Sequence, residues 1–210
     1  MARQFRRAAW VSFAFVVLLA WIKLFEHWTG VPFDGLALRP HDPSGLIGIL
    51  TAPLLHGSLE HLASNTLPLL ILGTLAGALY PRATVRALPL IWIGSGIGTW
   101  FIGTPGTAHI GASGIAHGLM FLVFFLGLLR RDRQAIAAGM LAFFLYGSML
   151  VTIFPRELNI SWESHLSGAI CGVIAAFVWR RRDPALPRKR YSWEDEEESG
   201  SDPEVVEPPP

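Results

Sequence analysis

Hydrophobic and polar positions along this chain are arranged in blocks. Six apolar segments can be read, at about 9–28, 58–80, 87–103, 112–129, 135–153 and 164–179. Each approaches the ~20 residues that a helix needs to cross a bilayer. No Asp, Glu, Lys or Arg occurs between Arg86 and Arg130, nor between Arg133 and Arg156. The pattern predicts an all-α membrane protein with six transmembrane helices.

The first segment follows Arg3, Arg6 and Arg7 and superficially resembles a signal peptide. It runs through Trp21 to Trp28 without a small-residue cleavage site, so a retained anchor is expected. Between Thr29 and Gly57, Pro32, Pro40, Pro43 and Gly45 argue against one long helix, and compact irregular structure at the outer interface is expected. Residues 185–210 carry eight acidic side chains, including Glu194 to Glu198, with many prolines and almost no apolar residues. Such a stretch cannot bury a core and is expected to be a disordered, acidic, Pro-rich cytoplasmic tail behind a membrane domain at 1–184.

Composition sharpens this picture. The chain of 210 residues is 51% hydrophobic and 16% charged, with a mean hydropathy of +0.42. An average soluble domain carries about 25% charged residues, so an ordinary cytosolic enzyme is excluded. The single cysteine, Cys171, rules out an internal disulfide and a cysteine-rich metal site. A net charge of +1 offers no general attraction for nucleic acid.

The location of the cations says more than their number. With a cytoplasmic amino terminus, six spans place 14 of the 17 Lys and Arg residues on the inner side, leaving Arg39 and Arg156 outside and Lys23 within the first span. This positive-inside pattern predicts that both termini are cytoplasmic. Trp10, Trp21, Trp28, Trp162 and Trp179 lie near span ends, where interfacial anchoring is their usual role.

Polar residues inside a bilayer are costly, so their depths are informative. Counting back from the arginines at ~1.5 Å per residue puts Ser113, Asn65 and His165 roughly 25, 25 and 22 Å above the inner boundary. His61 lies one turn above Asn65 on the same helix face. A Ser and a His at one level are the parts of a nucleophile and its base. His61 and Asn65 add donors suited to a developing oxyanion, so the set predicts acyl transfer. Gly111 and Gly114 flank Ser113 and permit close backbone approach, while Gly168 and Gly172 follow His165 at a spacing that lets two helices press together.

The run His56-Gly57-Ser58-Leu59-Glu60-His61-Leu62-Ala63-Ser64-Asn65, then Gly111-Ala112-Ser113-Gly114, then His165-Leu166-Ser167-Gly168, resembles the signature of the rhomboid intramembrane serine proteases. The three motifs fall on the second, fourth and sixth spans, in a likeness that covers most of residues 10–180. The resemblance implies a six-transmembrane-helix rhomboid-like bundle in which Ser113 is the nucleophile and His165 the general base of a dyad without an acidic third member. It further implies that His61, Asn65 and the Ser113 N–H stabilise the oxyanion. By the same resemblance the chain would cleave transmembrane or near-membrane segments of other membrane proteins, without metal or cofactor, from a water-filled cavity opening to the extracytoplasmic side. A bacterial cytoplasmic membrane is the expected location.

Two features depart from the family pattern. Where many members carry Tyr or Phe four residues after the nucleophile, this chain has His117, a second titratable ring positioned to stack on His165. The first outer loop lacks the Trp-Arg pair of some bacterial members and carries Arg39-Pro40 and the Gly45 to Leu50 stretch instead.

Other readings compete. Ser113 can be a small residue at a helix crossing, and His165 can cap its helix beside Glu163. His56, expected nearer the interface, reads as a structural residue bonding loop backbone, and His109 as a loop and packing residue. His56, Glu60 and His61 lack the H-E-x-x-H order of a metalloprotease. A rhomboid-like protein that binds transmembrane clients without cutting them is the alternative function, although such proteins typically lose the Ser or His that this chain retains. A transporter would be expected to repeat its halves, and none of the segments repeats.

Overall fold

The computed structural model describes residues 2–130, 132–155 and 160–184. The acidic tail expected at 185–210, together with Arg131 and Arg156, lies outside the described residues. The elements are α1 (Ala2–Thr29), the short α2 (Gly48–Thr51), α3 (Leu59–Leu79), α4 (Pro81–Ile102), α5 (Ser113–Arg130), α6 (Arg133–Tyr146) and α7 (Trp162–Trp179). A 3-10 segment, Gly147–Ile153, continues α6. Among the described residues, five helical stretches are long and apolar enough to cross a membrane: α1, α3, α4, α5 and Arg133–Ile153. The protein is therefore an integral multi-pass membrane protein. α7 matches α5 in length but opens on Glu163, Ser164 and His165, which dilute its apolar character.

Helix starts follow local chemistry. The Ser58 hydroxyl accepts from the His61 N–H at 3.0 Å, and the Asp132 carboxylate accepts from the Ala135 N–H at 2.8 Å, which caps α3 and α6. Pro81 opens α4, where a missing N–H costs nothing. Thus α4 begins six residues before the apolar segment expected at 87–103, because Arg82 and Arg86 continue the helix beyond the apolar depth.

α5 is the central helix, with 61% of its apolar stretch buried against 17–33% for the other four. Ile91, Leu122, Val123, Leu126 and Ala175 have no exposed surface around it. The helices meet through small residues. A Cβ on Gly168 would strike the Gly114 backbone, and one on Gly172 would strike the Gly118 backbone, so α5 and α7 touch main chain to main chain. The neighbour anticipated for Gly168 and Gly172 is therefore α5. On its adjacent face α7 sets Cys171 against Gly94 and Ser167 against Gly98 of α4. α1 sets Ser12 against Gly73 and Ala8 against Gly77 of α3. Without water to drive apolar surfaces together inside a bilayer, such close packing is what holds helices to each other.

The long connection before α3 is built from short helical turns at Asp34–Leu36, Pro43–Gly45, Gly48–Thr51 and Ala52–Leu54, as its prolines predict. It is tied to the bundle by reciprocal bonds between the Leu38 and His109 backbones, at 3.0 and 2.8 Å. The Trp92 and Trp100 indoles also donate to the Leu50 and Asp42 carbonyls. At the arginine-bearing end, the Asp183 carboxylate accepts from the Arg82 and Ala83 N–H groups, both at 2.9 Å. Arg130 donates to the Asp183 and Pro184 carbonyls and lies over the Tyr80 ring at 5.3 Å.

Replacing Gly172 with Val is expected to cost about 1–3 kcal/mol, because the added volume meets rigid backbone. Gly147→Ala, whose new Cβ meets only the Phe143 ring at 3.7 Å, is expected to stay within about 0.5 kcal/mol. Thermal unfolding of the purified protein in detergent separates the two. Equal melting temperatures would contradict the backbone contact.

Candidate active site

Ser113 is the first residue of α5 and His165 the fourth of α7. Since Gly114 and Gly168 bring these helices into backbone contact beside both residues, the side chains must meet. His165 Nε2 lies 2.8 Å from Ser113 Oγ. His165 Nδ1 lies 3.0 Å from the Thr152 carbonyl oxygen, which can only accept. Nδ1 therefore carries the ring proton, and Nε2 presents its lone pair to the Ser113 hydroxyl. This is the tautomer required of a base. His165 bonds Ser113 and Thr152, so it does not act as a helix cap beside Glu163.

The turn before Ser113 explains its glycine. Gly111 has φ +113°, which L side chains rarely adopt, and its N–H donates to the Ala52 carbonyl at 2.8 Å. A Cβ there would lie 2.6 Å from His61 Nε2 and 3.9 Å from Asn65 Nδ2. His61 and Asn65 thus border the turn that presents Ser113. The Asn65 amide spends one proton on the His61 carbonyl at 3.0 Å and keeps a second. The first turn of α5 leaves N–H groups without partners inside the helix, and their dipoles favour negative charge at Ser113.

His117 stacks on His165, with ring centroids 3.9 Å apart and planes 13° from parallel. Its Nδ1 donates to the Ser113 carbonyl at 2.7 Å, and its Nε2 lies 2.9 Å from the Thr152 hydroxyl, which also donates to the Met149 carbonyl at 2.9 Å. Thr152 therefore holds both rings, one through its carbonyl and one through its side chain. Sequence reasoning missed it. Its polarity at the outer end of the segment 135–153 was a signal, but a backbone acceptor leaves no trace in residue identity.

A cavity of about 930 Å³ joins Ser113, His165, His61, Asn65, His117 and Thr152. Glu163 and His109 also line it, with His109 Nδ1 2.6 Å from Ser161 Oγ. His56 is buried beside His61. It is 2% exposed, neither ring nitrogen has a hydrogen-bond partner, and its ring stands edge-on to His61 at 5.1 Å. Burial above all, with His61 nearby, pushes its pKa down to about 4.

The chain matches the Rhomboid domain family over residues 43–182. It is 39% identical over 189 residues to an uncharacterized protein of Mycobacterium tuberculosis, an alignment covering 82% of this chain and 78% of the relative. An uncharacterized protein of Mycobacterium bovis gives the same figures. One of Mycobacterium leprae is 36% identical over 187 residues, covering 82% and 74%.

The neutral, buried His56 makes stability depend on pH. Its folded pKa lies below that of the unfolded chain, near 6.5, so stability is retained above about pH 6.5 and declines as the pH falls toward about 4. The loss attributable to His56 is roughly 3 kcal/mol. Melting curves of wild type and His56→Phe between about pH 7 and about pH 4.5 test this. The variant is expected to lose less stability over that range, and parallel curves would refute the assignment.

Proposed function

The chain belongs to the rhomboid family, and from that membership and the Ser113–His165 contact we propose that it is an intramembrane serine endopeptidase. The observation that carries this reading is the 2.8 Å bond to a histidine whose other nitrogen is tied to a carbonyl. In this reading α7 is the sixth span, both termini are cytoplasmic, and the cavity opens to the extracytoplasmic side of a bacterial cytoplasmic membrane.

A transmembrane or near-membrane segment of another protein unwinds locally and places a peptide carbonyl beside Ser113. His165 takes the hydroxyl proton as the oxygen attacks, forming a tetrahedral intermediate. Its oxyanion is met by the Ser113 N–H and the His61 and Asn65 side chains. His165 then gives its proton to the leaving amine, and an acyl-enzyme remains on Ser113. Water in the cavity, activated by His165, releases the second product. His117 acts as a positioning residue, because its ring covers one face of His165 and its Nδ1 steadies the Ser113 carbonyl.

Cleavage of a generic transmembrane substrate by protein reconstituted in liposomes tests the proposal. Ser113→Ala and His165→Ala are each expected to lower the rate at least about 10³-fold, and His61→Ala and Asn65→Ala about 10²-fold. Inactive wild type that still binds several substrates would favour the client-binding alternative.

With chemistry limiting, the cleavage rate is expected to fall as the medium is acidified, because a protonated His165 cannot accept the Ser113 proton. A rate that stays flat down to the pH at which the protein unfolds would count against His165 as the base.

A further inference from the structure

A second large recess lies away from the proposed active site. It is a groove of about 1050 Å³ between α1 and α4, floored by α3 and α5. That volume is at the top of the ~300–1,000 Å³ typical of small-molecule sites. Its walls are apolar, including Val11, Leu69, Val85, Leu88, Ile115 and Leu119. Its mouth is cationic, lined by Arg3, Arg7 and Arg82, all exposed.

The groove has the dimensions of one leaflet. Phe15 and Trp92 also line it, with rings 5.9 Å apart that bridge α1 and α4. Phe15 lies 12 residues beyond Arg3 and Trp92 lies 10 beyond Arg82. At ~1.5 Å per residue these spans are roughly 15–18 Å, about half of the ~30 Å hydrocarbon core. The mouth therefore sits at headgroup level and the aromatic bridge near the bilayer centre.

Three features bear on the occupant. α1 and α4 both begin at the arginine-bearing end, so their positive dipole ends add to the field of the three arginines. Asp183, the acidic group nearby, is 5% exposed and spends its carboxylate on the Arg82 and Ala83 N–H groups. Thr84, two residues inside the mouth and 5% exposed, lines the groove with a hydroxyl that has no hydrogen-bond partner. A phosphate suits the mouth, an ester oxygen is an acceptor of the kind Thr84 lacks, and acyl chains suit the walls. The acidic residues 194–207 of this chain offer charge but no apolar run to fill the groove.

We propose that this groove is a binding site for one anionic glycerophospholipid of the leaflet that faces the arginines. The inference rests on the chain being a membrane protein and not on proteolysis, so it stands or falls separately from the activity.

Native mass spectrometry of the delipidated full-length protein, after return of phosphatidylglycerol or phosphatidylcholine, tests it. One phosphatidylglycerol is expected to bind at least about tenfold more tightly than phosphatidylcholine, and less tightly as salt is raised. Replacing Arg3, Arg7 and Arg82 with Gln is expected to weaken it about fivefold per arginine. Val85→Trp, on a residue 70% exposed at the groove wall, is expected to weaken both lipids while leaving the melting temperature in detergent unchanged. Equal binding of the two lipids, or phosphatidylglycerol binding that neither the arginine variant nor Val85→Trp alters, overturns the proposal. So does self-association that Val85→Trp abolishes, which would make a second copy the occupant. Lipid binding that appears only after residues 185–210 are removed would assign the groove to the chain's own tail and likewise overturn it.

Discussion

The contact on which this structure depends most is the meeting of two backbones. Gly114 and Gly118 of α5 lie against Gly168 and Gly172 of α7 with no side chain between them. Dispersion forces fall steeply with separation, so closeness has to replace the hydrophobic effect inside a bilayer. The contact also has a chemical result. Ser113 precedes Gly114 by one residue and His165 precedes Gly168 by three, so the helix register and the 2.8 Å side-chain contact are one constraint.

Burying polar groups is costly unless they are hydrogen-bonded, and the two rings beside Ser113 have each nitrogen answered. His165 spends one nitrogen on Ser113 and the other on the Thr152 carbonyl, while His117 spends its own on the Ser113 carbonyl and the Thr152 hydroxyl. Thr152 can do this because it lies in the 3-10 segment Gly147–Ile153. There the backbone leaves α-helical geometry beside the cavity, where irregular chain at membrane depth is tolerated. His117 keeps the stacking face that an aromatic residue would offer and adds two hydrogen bonds that a phenyl ring lacks.

Much of this was legible because a bilayer writes depth into sequence. Apolar runs and flanking arginines set the spans to within a few residues, apart from the starts of α1 and α4, where charged turns extend a helix past the apolar depth. The same count brought Ser113, Asn65 and His165 to one level, and the structure sets them around one cavity. Illegible were contacts that are long-range or made by main chain. Thr152 reaches His165 through a carbonyl that any residue supplies. Asp183 meets the Arg82 N–H across 101 positions, with nothing periodic to announce it. Nor does distance along the chain show that the His56 ring is buried against His61.

Asp183 also bears on how the molecule is made. A chain emerges from the ribosome amino end first, so α4 and α5 enter the membrane before α7 exists. Until then the first turn of α4 lacks its carboxylate cap, Gly114 and Gly118 have no backbone to meet, and Ser113 has no imidazole beside it. All three are supplied by the last 23 described residues, 162–184. A nascent chain therefore carries a solitary hydroxyl from the time Ser113 is made until His165 follows 52 residues later.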